Sequence, residues 1–436
     1  MDSDRDSALI ELRHNQNGDR TDSEEQNGGQ QSLPRVDGGP QAWKFLFASV
    51  IMEAVLWGYP LCFGVFQDYY TQLPEFKDNP NIALIGTLST GIYFLGAPVA
   101  MPLVRKFQNL QRHMVIIGWI ACVLSTLSAS FCQSVSGLIA TQGVAYGVSF
   151  LLLYFPLLCM LNEWFVARRG LAYGVLYGGG GLSGGGLPFM LSALLERFGY
   201  QTTLRAVAVA QFILVLPFIH MVKGRLPASA HSAMRKIDLG FFRQPLFYCF
   251  AISNILQGLG YYIPALYLPT FASALGLSST VGALVLALNN LATVLGQVCF
   301  GWISDRTNRA LIPICISSLV ASGVTFFLWG FAHSLVTLII FAFLYGLFAG
   351  GFVVFWPKFG TTLSEDPQAV FSLMAFGRGI GNVVTGPIAS ALVGGKVSSG
   401  YALGRFLPLV IFLGTMMFGS SLGILGLLLE PRRRRT

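Results

Sequence analysis

Residues 146–156 read Tyr-Gly-Val-Ser-Phe-Leu-Leu-Leu-Tyr-Phe-Pro, and residues 345–357 read Tyr-Gly-Leu-Phe-Ala-Gly-Gly-Phe-Val-Val-Phe-Trp-Pro. The landmarks are the same in both, a Tyr-Gly pair followed by an aromatic-Pro pair, at an offset of about 200 residues. Working outward, Gly58-Tyr59-Pro60 returns as Gly260-Tyr261-Tyr262-Ile263-Pro264, and Gly96 returns as Gly296, in the same order. A chain that repeats itself at this spacing is expected to form two similar bundles. In a membrane, such duplicated bundles bury a site between them and move one against the other.

Composition places those bundles in a bilayer. The chain has 436 residues, 53% hydrophobic and only 11% charged, too apolar a balance for a water-soluble core to hide. The formal charge of +8 sits in short basic clusters at the ends of apolar runs, which act as orientation signals and exclude a nucleic-acid partner. The seven cysteines fall in or beside apolar runs without a CxxC pair and read as small core residues. Residues 1–36 are polar and too poor in apolar groups to repay ordering entropy. They read as a disordered cytosolic tail, not a cleavable signal peptide.

A helix needs about 20 apolar residues to cross the hydrocarbon core. Twelve runs meet that demand, near residues 44–68, 82–104, 114–132, 136–160, 170–194, 204–222, 246–271, 279–303, 310–331, 335–357, 369–392 and 406–429. They divide the chain into an N-terminal six-helix bundle (37–222), a cytosolic linker (223–245), a C-terminal six-helix bundle (246–430) and a basic tail (431–436). With the N-terminus inside, cytosolic loops carry seventeen Lys and Arg, and outer loops carry five. That bias predicts an integral, multi-pass protein, assigned to the plasma membrane, with both termini in the cytosol.

The eighth run ends Gly296-Gln297-Val298-Cys299-Phe300-Gly301-Trp302-Ile303-Ser304-Asp305-Arg306-Thr307-Asn308-Arg309. Its glycines permit close helix approach, and Asp305, Arg306 and Arg309 can form a charge latch that breaks and re-forms. Here the chain resembles the major facilitator superfamily, whose signature loop after helices 2 and 8 has the form G-x-x-x-D-R-x-x-R. The copy after helix 2, from Gly96 through Arg105 and Lys106 to Arg112, keeps the basic residues and lacks the acid, so the latch is assigned to Asp305. Asp37-Gly38-Gly39-Pro40-Gln41-Ala42-Trp43, the Phe63 to Tyr70 stretch, the loop from Trp164 through Arg168 and Arg169 to Gly174, and Gly379-Ile380-Gly381-Asn382 with Gly386-Pro387 resemble the monocarboxylate porter branch in its fungal form. The likeness covers residues 37 to about 430. It implies an all-α membrane fold of twelve helices in two six-helix pseudo-symmetric bundles, with helices 1, 4, 7 and 10 lining a central cavity. Animal lactate carriers of that branch place a Lys in helix 1 where this chain has Leu61, and an Asp and an Arg in helix 8 where it has amides. Lactate-type recognition is therefore not carried over.

Two charges fall deep in their spans, Glu53 and Arg378. Charges at such depth face a watery cavity or a partner and mark proton relays or substrate contacts. Arg378 can take a substrate carboxylate through its fork of donors, and Glu53 can carry a proton. The alternative is a structural ion pair between them. Gln257, Tyr261, Tyr262, Asn289, Asn290, Trp356 and Asn382 are further candidates for the lining, the amides competing with a role in helix packing. Gly178 to Gly186 contains both a G-x-G-x-x-G and a G-x-S-x-G. Each of those motifs needs a preceding strand, so close helix packing is the reading here. The five histidines are scattered, and no metal site, cofactor or catalytic triad is expected.

The sequence thus points to a non-enzymatic secondary transporter of a small organic anion or related metabolite, with coupling to protons expected through Glu53. An exporter of a fungal secondary metabolite or drug is the alternative, and a non-transporting nutrient sensor a third. Expected partners are the lipid bilayer and a small-molecule substrate; oligomeric state is not encoded in any motif.

Overall fold

The computed structural model describes residues 33–76, 79, 81–226, 239–307, 311–364, 366–394 and 400–428. The expectations for the tail over 1–32, most of the linker, Arg309 and the basic C-terminal run lie outside the described residues.

Every element among the described residues is helical. The first four rods are α1 (Pro40–Gln72), α2 (Ile82–Leu95 continued by Ala97–Lys106 after a 51° bend), α3 (Gln108–Ala129) and α4 (Val135–Trp164). One continuous stretch, Arg169–Val215, follows. Gly199 breaks it at φ 72°, a left-handed conformation natural to glycine, and so makes α5 (169–198) and α6 (200–215). The sixth rod therefore starts earlier than the expected 204–222 and ends at Val215. The remaining rods are α7 (Pro245–Ala274), α8 (Ser279–Arg306), α9 (Leu311–Trp329), α10 (Leu335–Leu363), α11 (Pro367–Leu392) and α12 (Leu407–Ser421 with a tighter Leu422–Leu428 end). Seven are long and apolar enough to cross a membrane on those grounds alone, and the bent α2 makes an eighth. Of the others, α5 and α11 are interrupted by glycines and polar residues, while α6 and the apolar α12 are short.

The sequence repeat is a structural one. Both proline landmarks sit where a helix breaks: Pro60 precedes the irregular Cys62 of α1 (φ −90°, ψ 8°), and Pro264 follows the similar Tyr262 of α7 (φ −86°, ψ −6°). Proline removes a backbone donor and frees a carbonyl. The repeated tyrosines take carbonyls near these breaks: Tyr146 on α4 donates to Leu56 O at 2.6 Å, and Tyr345 on α10 reaches the carbonyls of Gly260 and Tyr261 at 3.5 Å. Repeated Gly96 lies against Leu151 of α4, and Gly296 against the Leu347 carbonyl of α10. Serines at the same offset, Ser134 and Ser334, cap α4 and α10 by accepting from Gly137 N and Thr337 N.

Outside this core the rods present a broad apolar surface, with Val99 75%, Phe327 72% and Phe131 65% exposed. A belt of that kind fits lipid, not water.

Candidate functional site

Two ends of the bundle differ. At the face where α1 begins, here called the entry face, the loop after α4 is tied down by Asp37. Its carboxylate accepts from the backbone N–H groups of Val166, Ala167 and Arg168 at 2.7–3.0 Å, while its own N–H donates to Trp164 O. Asp37 adopts φ 59°, a left-handed conformation that Asp tolerates. Burial pushes its carboxyl up, but the three backbone donors and the nearby Arg168 charge outweigh this and hold it below the usual carboxylate value.

The next two N–H groups of the α5 N-terminus, those of Gly170 and Leu171, donate to Asp305 of α8 at 2.6 and 2.8 Å. An acid at a helix N-terminus satisfies orphan donors and meets the positive end of the dipole. This corrects the expected latch: Asp305 closes on backbone amides, whereas Arg306 lies over the Trp302 ring at 3.9 Å and Arg169 donates to Phe165 O. Arg168 contributes its backbone N–H and the N-cap position of α5.

The copy after α2 also closes, with its polarity inverted. Arg105 pairs with Asp366, the N-cap residue of α11. Arg105 and Asp305 occupy equivalent places in the repeat. The missing acid hid this partner from motif reading, but the repeat offset would have located it. Behind these contacts lies a vestibule of about 400 Å³, bordered by Arg105, Arg169, Asp366, Tyr173 and Phe371. An aromatic row, Tyr177, Tyr173, Phe371 and Trp356, runs from its wall into the molecule with ring centroids 5.6–5.7 Å apart.

Beyond that row is a larger cavity of about 800 Å³, to which Tyr177 and Trp356 belong. It reaches the opposite face, where Leu61, Gly64, Gln67 and Asp68 of α1 and Leu266 of α7 are exposed among its lining residues.

The cavity brings together seven of the nine expected binding residues: Glu53, Tyr261, Tyr262, Asn289, Asn290, Trp356 and Arg378. Glu53 is 3% exposed and opens a π-helical turn, Glu53–Trp57, the kind of local widening that recurs at functional sites. Glycines of α5 make room for it: a methyl added at Gly179 would stand 3.3 Å from its Cβ, and one at Gly180 would stand 3.7 Å from its Oε1. Glu53 Oε2, Tyr154 Oη and Tyr177 Oη are all buried without a hydrogen-bond partner. Arg378, also 3% exposed, sits within Gly377-Arg378-Gly379-Ile380-Gly381, whose glycines face Asn254, Phe94 and Gly258 and let α11 press close to α7 and α2. Its guanidinium carbon lies 4.1 Å from the Tyr261 centroid and 5.6 Å from that of Tyr262, and Nη1 has no hydrogen-bond partner. Glu53 and Arg378 share the cavity without forming an ion pair, so the alternative of a structural pair does not describe this conformation.

Gln257 and Asn382 depart from expectation. Gln257 donates to Ala349 O at 3.1 Å and serves α7–α10 packing, while Asn382 lies one turn beyond Arg378 and outside the cavity lining. Trp356 donates to Asn254 Oδ1 at 2.9 Å, and Asn290 to Gly184 O at 3.1 Å, so both combine packing with lining. Tyr93, Tyr154 and Tyr177 also line the cavity. Sequence reasoning missed them, because an aromatic in an apolar run gives no sign of whether it faces lipid or a cavity.

The glycine run is a seam. On one side Gly174, Gly178, Gly181 and Gly184 of α5 meet Gln297, Val294 and Asn290 of α8, and Gly170 faces Gly301. On the other, Gly179, Gly180 and Ser183 meet Val50, Glu53, Trp57 and Gly58 of α1.

A family profile described as Major Facilitator Superfamily matches residues 46–386 and 250–435. Among curated proteins the chain is 26% identical to the "MFS-type transporter pynF" of Aspergillus niger, over 90% of this chain and 89% of that protein. It is 27% identical to the "Aspyridones efflux protein apdF" of Emericella nidulans, over 90% of this chain and 79% of that protein. Among solved structures, the nucleoside transporter NupG aligns with a TM-score of 0.61 and 14% identity, covering 89% of this chain and 99% of NupG. That likeness concerns the fold.

Proposed function

The chain belongs to the Major Facilitator Superfamily, and from that premise we propose that it is a secondary active exporter of an organic anion of secondary-metabolite type, working by alternating access. The observation that carries this reading is the cavity of about 800 Å³, latched at the entry face and holding two unpaired buried ionisable groups, Glu53 and Arg378. Such a chamber suits a drug-sized molecule, and a three-carbon acid would leave most of it unfilled. A relative named for efflux of a metabolite supports the direction.

Within the superfamily we assign the chain to the monocarboxylate porter branch by its Asp37 to Trp43 entry and its Trp164 to Gly174 loop. Its cargo goes with exported metabolites, not with lactate-sized acids. Arg378 receives the anionic group, and Glu53 takes up and releases the coupling proton. Asp305 and Arg105 hold the entry face shut, and that face is the cytosolic one, with both termini inside the cell and the protein in the plasma membrane. The resting geometry is then outward-facing, the state in which an exporter has released its cargo.

The test is a comparison of intracellular and secreted metabolites in a wild-type and a gene-deleted strain. Export predicts that at least one organic acid accumulates inside the deletion strain and falls in the medium. An unchanged secreted profile with slower uptake of an external acid would overturn it in favour of import. A loss of nutrient response with neither flux altered would favour a sensor.

A further inference from the structure

The cavity specifies its cargo more narrowly than its volume does. Resting on the export reading, we infer that the transported molecule is a planar aromatic monoanion, bound with its acidic group on Arg378 and its ring among the cavity's aromatic side chains. Three observations combine.

The charge comes first. The lining contains Glu53, Asp68 and Arg378 as its ionisable acids and base, and Asp68 lies exposed at the rim, where Gln72 donates to it. A carboxyl can take up a proton and shed its charge, whereas a guanidinium stays cationic. The lasting charge of the buried part is therefore the single positive one of Arg378. Its Nη1, buried and unpartnered, is a donor awaiting an acceptor, and a buried unsatisfied donor on a charged group is costly enough to require one when the site is used.

The shape of the cation's seat comes second. Tyr261 lies under the guanidinium at 4.1 Å, and the Tyr262 ring stands nearly perpendicular to it at 88°. The ring beneath the cation limits where the guanidinium can move and leaves its unpartnered Nη1 for an anionic acceptor, which a guanidinium's planar fork can take in its own plane. A carboxylate conjugated to a ring, or a ring carbonyl beside an acidic ring hydroxyl, meets that demand.

Third, aromatic side chains from both halves of the repeat line the cavity: Trp57, Tyr93 and Tyr154 from the first, Tyr345 and Trp356 from the second. These rings are packed on one another and show the cavity only edges and parts of faces; a fused or linked ring system can touch several of them at once, each good aromatic contact contributing about 1 kcal/mol beyond its area, where a small aliphatic acid reaches few.

The experiment is ligand binding to the purified full-length protein in lipid nanodiscs, read by quenching of tryptophan fluorescence, since Trp57 and Trp356 line the cavity. The probes are anthracene-9-carboxylate, its neutral analogue 9-anthracenemethanol, and cyclohexanecarboxylate by competition. The expected result is saturable binding of anthracene-9-carboxylate, about tenfold or more tighter than either other probe. Arg378→Gln should bring the carboxylate down to the affinity of the alcohol. Should that variant fail to fold, Arg378→Lys should keep a preference for the anion, and Tyr154→Leu should weaken both anthracene probes while leaving their ratio intact. Equal binding of the alcohol, equal binding of cyclohexanecarboxylate, or no saturable binding at all overturns the assignment. Flux of the same probe in proteoliposomes separates the two readings: binding without flux sinks transport and leaves the cargo class standing, and flux of the aliphatic acid alone does the reverse.

Discussion

Glu53 and Arg378 line one cavity, each with an unpartnered atom, and do not pair with each other. Removing either charge therefore has no half-broken ion pair to leave behind. Arg378→Gln is expected to abolish transport while the protein still reaches the membrane, and Glu53→Gln to remove the pH dependence of net flux while sparing exchange. Measured expression and pH-dependent flux of both variants and their combination check this; restored proton-coupled transport in the double variant would sink both assignments. Asp37 gives a residue-scale prediction about stability. Its carboxyl is held below the usual value by backbone donors, so its stabilisation is fully present above the unfolded value of about 4 and is lost as pH falls through the folded one. Asp37→Asn should cost about 1 kcal/mol near neutrality, as helix-cap losses do. Thermal unfolding of the two proteins should converge once the pH falls below the folded-state value of this carboxyl; a gap that persists in strong acid would show that the charge is irrelevant.

At the scale of elements, the seam between α5 and α8 depends on side chains that are absent. A methyl at Gly174 would collide with the Gln297 carbonyl, a backbone atom that cannot turn aside. Gly174→Val should therefore disfavour the conformation in which the entry face is closed, and slow transport about tenfold or more, since a misfit of 1–2 kcal/mol already shifts a two-state balance that far. Gly185 and Gly186 stand in open space, so alanine there serves as the control. Cysteine accessibility in the entry-face vestibule should rise for Gly174→Val and stay unchanged for the controls. Equal accessibility in all three would remove the seam from the mechanism.

For the whole molecule, two contacts of opposite polarity join the halves at the entry face, Asp305 on the α5 amides and Arg105 on the Asp366 carboxylate, and these are the proposed latches. A gate sets conformational exchange without touching cargo. Asp305→Asn should slow flux severalfold while leaving cargo affinity unchanged, and a parallel loss of both would argue against a latch. Arg105→Asp and Asp366→Arg should each open the entry face, and the double exchange should close it again because an ion pair is indifferent to which side supplies the acid. Interhelical crosslinking across the entry face reads the outcome, and a double variant as open as the singles would remove this contact from the gate.

The sequence by itself determined the membrane class, the duplication and the depth of Glu53 and Arg378 in their spans, because hydropathy and repeat spacing act locally along the chain; that the helices break beside Pro60 and Pro264, and that the two charges do not pair, came from the fold. The sequence also singled out Asp305 but not the backbone amides it meets, since an amide leaves no letter in a motif. Only the tertiary structure decided that Gln257 packs and does not line, that Tyr93, Tyr154 and Tyr177 do line, and that Arg105 meets Asp366. Those outcomes depend on how each helix is rotated about its axis, and in a helix apolar on every side no amphipathic stripe fixes that rotation; the packing of neighbouring helices does.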